Sequence, residues 1–500
     1  MSIRPAAPPA DHVAHPLRWR ALAVTQLAGF MSLLDVSIVN VALPSIQQSL
    51  GASVAQVQWV VSGYALTFGL VLVAGGRLGD ALGRRRMFLI ALTGFVVTSA
   101  LCGAAPSADL LVAARLAQGL AAGMLGPQSS GLIQVLFRGA ERGRAFGIFG
   151  ATVGLSTAVG PVLGGLILAA ADEQGGWRWV FYVNVPIGLI ALVAAWRLVP
   201  SRPHRGGPLA AQIDVLGAVL LGGGVLCMLL PLMRLEGGGM GRLWWLLALT
   251  PVLVVLFLRW EQRMVRRGRQ PLLDTRLLSH TPGYPAGAAL GLLYFIGFSG
   301  IWLVLAVYFQ RGLGYTPLQS GLAVTSFALG AAVSAAVAGR LVSRYGRRLT
   351  VVGLGCVVIG LAVTAVVLYT APVASAGWLV ALPLLVGGIG GGAVISPNVA
   401  LTLEWVPTRM GGAAAGALQT GQRIGSAIGT ALLAAVFYGV LARSGLYQSA
   451  IATALGVGTG FVCLALLVAV LELRLTGHRA AASGLPDVTD PTQAIGGPAG

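Results

Sequence analysis

The chain is short of charge. Only 10% of its 500 residues are Asp, Glu, Lys or Arg, and 56% are hydrophobic, whereas a soluble domain of ordinary composition carries roughly a quarter charged residues. There is too little polar side chain to cover a water-solvated globule. Lysine is missing altogether, so all 33 basic residues are arginine. With the abundant Ala and Gly, this points to a GC-rich bacterial genome. Cysteine is scarce: Cys102, Cys227, Cys356 and Cys463 lie singly inside apolar runs, with neither metal-ligand spacing nor a disulfide framework. The five histidines (His12, His15, His204, His280, His478) fall in connections or tails, which argues against an intramembrane His relay. There is no P-loop for direct use of ATP, no zinc site and no Ser–His–Asp set. The expectation is therefore a protein that is not an enzyme and needs no metal or organic cofactor.

Long hydrophobic runs are what the chain has instead. Mean hydropathy is +0.84, and apolar runs of about 17–27 residues recur from Ala21 to Leu473, each long enough to cross a ~30 Å hydrocarbon layer as a helix. Transmembrane β-barrels are excluded, since their strands alternate and are half this length. About fourteen helical spans are expected. The net charge of +18 suggests nucleic acid at first, but the arginines form no single patch. They gather in alternate connections: Arg77 and Arg84–Arg86, Arg138–Arg144, Arg197–Arg205, Arg259–Arg276, and Arg340–Arg348. Positive-inside topology puts these connections, and both termini, in the cytoplasm. The first span is too long for a cleaved signal. The expected location is the bacterial cytoplasmic membrane, multi-pass.

The chain also repeats itself. Gly76-Arg-Leu-Gly-Asp-Ala-Leu-Gly-Arg-Arg85 is echoed by Gly339-Arg-Leu-Val-Ser-Arg-Tyr-Gly-Arg-Arg348, and Gly147 and Gly160 are echoed by Gly416 and Gly429. Two six-helix halves explain both echoes, as in transporters built from parallel repeats. The expected organisation is a cytoplasmic tail over 1–20, a six-helix bundle over 21–199, and linkers with two additional helices over 200–283. A second six-helix bundle follows over 284–475, then a disordered tail over 476–500.

Several motifs occur in a recognisable order. Leu34-Asp-Val-Ser-Ile-Val-Asn-Val-Ala-Leu-Pro44 lies in span one, Gly76–Arg86 after span two and Arg115-Leu-Ala-Gln-Gly119 in span four. Gly154…Gly160-Pro161…Gly164-Gly165 lies in span five; Trp177–Gly188 and Tyr308–Gly321 complete the set. Together they resemble the major facilitator superfamily, in its fourteen-span drug:proton antiporter family. The resemblance implies an all-α membrane fold of two pseudo-symmetric bundles plus two inserted helices, and proton-driven export of drugs or antibiotics. It implies that Gly76, Asp80, Gly83 and Arg84 latch onto neighbouring helices, and that Gly154, Gly160, Pro161, Gly164 and Gly165 serve exchange. Ala81 and Leu82 depart from the usual loop motif, and Ser343 replaces the acid in the second copy.

Ionisable residues within spans are costly and so presumed functional. Asp35 lies about 21 Å into span one and Arg115 about 8 Å below the outer end of span four at 1.5 Å per residue. In a ~30 Å core these depths nearly coincide, so the two are expected to meet and to couple proton entry to helix movement; a static ion pair is the plainer alternative. Arg423, with Gln419 and Gln422, is expected to face the cavity, to pair with Asp35 or backbone carbonyls, or to bind an anionic group of the substrate; a bracket between the halves is the plainer alternative. Asn40, Gln118, Tyr64 and Trp302 complete an expected substrate cavity. Trp177, Trp179, Trp378 and Tyr284 read as interfacial anchors. The expected partners are a small-molecule substrate and the lipid bilayer, with no nucleic acid and no ATP, and one chain holds the whole pathway. Export of an endogenous metabolite, lipid or siderophore is the alternative in the same fold; a non-transporting receptor or assembly factor is a third reading.

Overall fold

The computed structural model describes residues 15–170, 175–200, 214–236, 243–269, 271–372 and 375–482. The expectations for the first fourteen residues, and for the tail beyond 482, lie outside the described residues. Among the described residues there are helices and no strand, as a hydrocarbon solvent demands, since only helices satisfy every backbone N–H and C=O within one segment. Thirteen helical segments are long and apolar enough to cross a membrane. The helix Gly139–Ala170, with 32 residues, is the fourteenth span, packed between the two halves.

The first half comprises α1 (Arg18–Leu50), α2 (Val54–Leu82), α3 (Arg84–Ala104), α4 (Ala108–Leu136), α5 (Gly139–Ala170), α6 (Trp177–Tyr182) and α7 (Asn184–Leu198). Val183 keeps helical backbone between α6 and α7, so those two make one span. The inserted hairpin is α8 (Val215–Glu236) and α9 (Trp244–Arg266), followed by the short α10 (Arg276–His280). The second half comprises α11 (Tyr284–Ser299), α12 (Ile301–Val307) and a π-turn over Tyr308–Gly312. It continues with α13 (Pro317–Tyr345), α14 (Arg347–Thr370), α15 (Ala376–Leu379), α16 (Ala381–Thr402), α17 (Gly411–Ser444) and α18 (Tyr447–Ala482). Helix α18 therefore runs past Leu475, where the sequence suggested a disordered tail.

The internal repeat is visible in local chemistry. Ser53 and Gln56 form a capping box at the start of α2, and Thr316 and Gln319 form the same box at the start of α13; each N-cap side chain stabilises its helix by ~1 kcal/mol. Both helices end at a glycine with positive φ, Gly83 at 98° and Gly346 at 52°, a conformation that side chains oppose.

Close helix approaches extend the symmetry across the molecule. At Gly76 a side chain would strike the Gly412 carbonyl, so α2 crosses α17 there. At Gly339 it would strike Gly147, so α13 crosses α5. Higher up, Gly160 of α5 packs on Ser37 of α1, and Gly429 of α17 packs on Ile296 of α11. Small residues let backbones approach where apolar surface alone gives no drive, because lipid is equally apolar. The two crossings, α2–α17 and α5–α13, are the seams between the halves. Helix α8 covers the first: Leu66, Val225 and Leu229 cluster with Leu70, Ile424 and Ala427.

Two expected interfacial anchors are buried instead. Trp177 is fully buried, edge-on to Phe181 and under the Arg178 guanidinium. Tyr284 is buried and donates to the Ala414 carbonyl at 2.9 Å, tying α11 to α17. Trp179 and Trp378 are exposed. An aromatic at a span edge can turn either way, and the neighbouring helix decides which.

Candidate functional site

A polar cluster lies inside the first half. Asp35 of α1 and Arg115 of α4 are 0% and 1% exposed and paired at 2.5 Å. The rest of the shell satisfies both ions. Asp35 Oδ1 accepts from Gln118 Nε2 at 3.2 Å and Asn184 Nδ2 at 3.0 Å. Arg115 donates from Nε to the Val60 carbonyl at 2.9 Å and from Nη1 to Gln118 Oε1 at 2.7 Å. Its guanidinium lies 4.2 Å from the Tyr64 ring centroid, a favourable cation–π placement when desolvated. Tyr64 in turn donates to the Ser32 carbonyl at 2.9 Å. Breaking a buried pair by removing one partner costs ~3–5 kcal/mol, because the other charge is left unpaired. The cluster thus joins α1, α2, α4 and α7.

Two members went unmarked in the sequence. Asn184 bonds Asp35 and also Ser99 Oγ at 3.1 Å, and Ser99 donates to the Phe181 carbonyl at 3.0 Å. The available signal was an amide inside the apolar stretch of Trp177–Gly188. Cys102 donates to Gln118 Oε1 at 3.4 Å and adds to the same cluster.

A second constellation closes the arginine-rich end. Asp80 accepts backbone N–H groups of Gly412 and Ala413 at 3.1 and 3.0 Å, at the N-terminus of α17, where a carboxylate also meets the positive end of the helix dipole. Arg84 bonds Asp80 and the Thr408 carbonyl, both at 2.7 Å. Its guanidinium lies against Gly131, where a Cβ would overlap it. In the second copy Ser343 is exposed. Arg347, the counterpart of Arg84, turns to Asn398 and Glu472 within its own half. The carboxylate-to-helix contact therefore bridges the halves at only one of the two repeats.

The span-five glycines divide by depth. Gly147 meets α13, Gly154 rests at ordinary contact distance from Ala332, and Gly160 and Gly164 face α1, while Gly165 has open space beside it. Pro161 lies in α5 with its side chain outside the described residues.

Of the expected cavity residues, Asn40 is exposed, and Gln118 belongs to the buried cluster rather than to an open wall. Gln419 donates to Ser130 Oγ at 3.3 Å across the halves. Arg423 lies with its guanidinium 4.4 Å from the Phe68 ring centroid. Trp302 joins Phe298 and Phe327, with Tyr294 stacked on Phe298. Symmetry relates the two inner faces: the register that aligns Gly76 with Gly339 puts Phe327 at the place of Tyr64. That aligning Ser37 with Ile296 puts Tyr294 at the place of Asp35. The charged cluster of one half is thus an aromatic cluster in the other. Among the described residues no group of His, Cys, Asp and Glu has the spacing to hold a metal.

The profile of the Major Facilitator Superfamily matches residues 26–273 and 287–493. The chain belongs to that superfamily. It is a multi-pass membrane transporter and not an enzyme. A probable actinorhodin transporter of Streptomyces coelicolor is 35% identical over 85% of this chain and 73% of its own length. A puromycin resistance protein of Streptomyces alboniger is 37% identical over 85% and 83%. Among solved structures, a proton:xylose symporter of the superfamily superposes with a TM-score of 0.65 at 15% identity, over 91% of this chain and 95% of its own. That likeness speaks for the fold alone.

Proposed function

We propose that this major facilitator chain exports antibiotics or similar amphipathic compounds across the bacterial cytoplasmic membrane, driven by inward proton movement. The relatives named for antibiotic transport and resistance support the export reading. The buried Asp35–Arg115 pair carries the proton reading. Protonation of Asp35 removes its charge, weakens its hold on Arg115 and loosens α1 against α4 and α7. Deprotonation restores the pair.

The helices meet at the arginine-rich, cytoplasmic end through Asp80, Gly76–Gly412 and Gly147–Gly339, so this conformer is closed inward. Alternating access then consists of breaking these contacts and closing the opposite ends. Asp80 and Arg84 are the latch, and the small-residue seams are the surfaces that slide. Protons serve as the coupling ion, no other cofactor takes part, and a single chain with its surrounding lipid suffices.

The test is dye uptake into inverted membrane vesicles with and without a proton uncoupler. Accumulation that collapses with uncoupler supports the reading. Accumulation that persists contradicts proton drive, and absence of any movement across a panel of neutral, cationic and anionic dyes contradicts export.

A further inference from the structure

At mid-span, Asp35 and Arg115 neutralise each other and Arg423 is left over. Among the described residues no carboxylate, hydroxyl or carbonyl accepts a hydrogen bond from its guanidinium; its neighbour is the face of Phe68. The Asp35 oxygens are already occupied by Arg115, Gln118 and Asn184. A guanidinium offers five donors, and leaving them unused in a membrane-embedded seam is costly.

Packing does not require the side chain. The repeat that aligns Gly147 with Gly416 puts Gly154 at the place of Arg423, and there the opposite seam closes on Ala332 with no side chain at all. The seam also loosens at this level. Gly76 and Gly416 are pressed against backbone of the opposing helix, whereas a Cβ on Gly69 would meet α17 only at Arg423 Cβ, 3.9 Å away, its nearer neighbour being Leu229 of α8 at 3.3 Å. Gln419 stands one turn earlier on α17, and Tyr64 links the Phe68 ring to the Arg115 guanidinium. Arg423 therefore presents a held, uncompensated positive charge where α2 and α17 begin to part.

We propose that Arg423 is the binding point for a single negative charge on the transported molecule, so that the chain takes organic anions: carboxylates, phenolates or sulfonates on an apolar body. This rests on the export reading for its context, but binding can be measured without transport. The probes are two xanthene dyes of similar shape and opposite charge, carboxyfluorescein and rhodamine 123, titrated against the full detergent-purified chain by fluorescence polarisation.

The wild type is expected to prefer carboxyfluorescein. Arg423→Gln is expected to weaken that binding about tenfold or more, the loss of a charge-assisted contact, and Arg423→Lys to retain part of it. Equal binding by wild type and Arg423→Gln overturns the proposal, as does a wild-type preference for rhodamine 123. If Arg423→Gln fails to fold, as judged by size-exclusion chromatography, Arg423→Lys decides together with competition of carboxyfluorescein by benzoate. Retained binding displaced by benzoate but not by benzyl alcohol supports an anion site, and equal displacement by both overturns it. Vesicles that move neither dye contradict export, while the binding result stands by itself.

Discussion

At the residue scale, the buried Asp35 cluster follows from simple geometry. The 1.5 Å rise per residue placed Asp35 and Arg115 at matching depths in opposite-running helices, and the structure pairs them. What depth could not supply was the rest of the shell. Asn184 reaches Asp35 from α7 and also donates to Ser99 of α3, and partners on distant helices are a product of packing that sequence periodicity does not encode. Nor could it tell that Trp177 and Tyr284 turn inward. Because Asn184 gives Asp35 one of its hydrogen bonds, Asn184→Leu is expected to reduce proton-coupled dye export about tenfold, equivalent to ~1.4 kcal/mol. Membrane insertion should be unchanged. Vesicle uptake normalised to membrane content measures it; unaltered export would show the Asn184 bond to be incidental.

At the element scale, the crossings are where small residues matter. Gly339 and Gly147 touch backbone to backbone, so Gly339→Val is expected to keep α5 and α13 apart and disfavour the inward-closed conformer. In a cysteine-free background, a Ser130→Cys reporter near Gln419 should then be labelled faster by a membrane-impermeant thiol reagent from the cytoplasmic side. Labelling at the unmodified rate would mean the crossing tolerates the added bulk.

The inserted hairpin was legible as two spans, but not its seat over the α2–α17 seam, because lipid-facing and helix-facing surfaces are equally apolar. Its internal chemistry was equally hidden. Asp214 accepts from Gly217 N–H and Trp260 Nε1 at 2.8 and 3.0 Å, capping α8 and fastening it to α9. Glu261 is fully buried, accepts from Leu273 N–H at 3.3 Å, and turns its other oxygen toward the Asp214 carboxyl. A Cβ on Gly217 would touch both carboxyls, so Glu261→Gln supplies an N–H donor beside Asp214. It is expected to stabilise the chain by ~1 kcal/mol, read as a higher melting temperature in detergent. A lower one would show that Glu261 is held by its charge.

At the scale of the whole molecule, two related halves share caps, positive-φ glycines and crossings, and differ in their interiors. That much symmetry was readable from the Gly76–Arg85 and Gly339–Arg348 echo. The asymmetry is clearest at mid-span, with the Asp35–Arg115 pair in the first half and the Tyr294–Phe298–Phe327 cluster in the second; at the arginine-rich end one repeat has the carboxylate of Asp80 and the other has Ser343. Under the proposed proton-driven export, Asp35 is the residue that carries the proton. In proteoliposomes holding a pH-sensitive dye, wild-type protein is expected to move protons against substrate when substrate is added. Asp35→Asn, equally folded and inserted, is expected to reduce that signal to background. Substrate-driven proton movement by Asp35→Asn at the wild-type rate and pH dependence would contradict it.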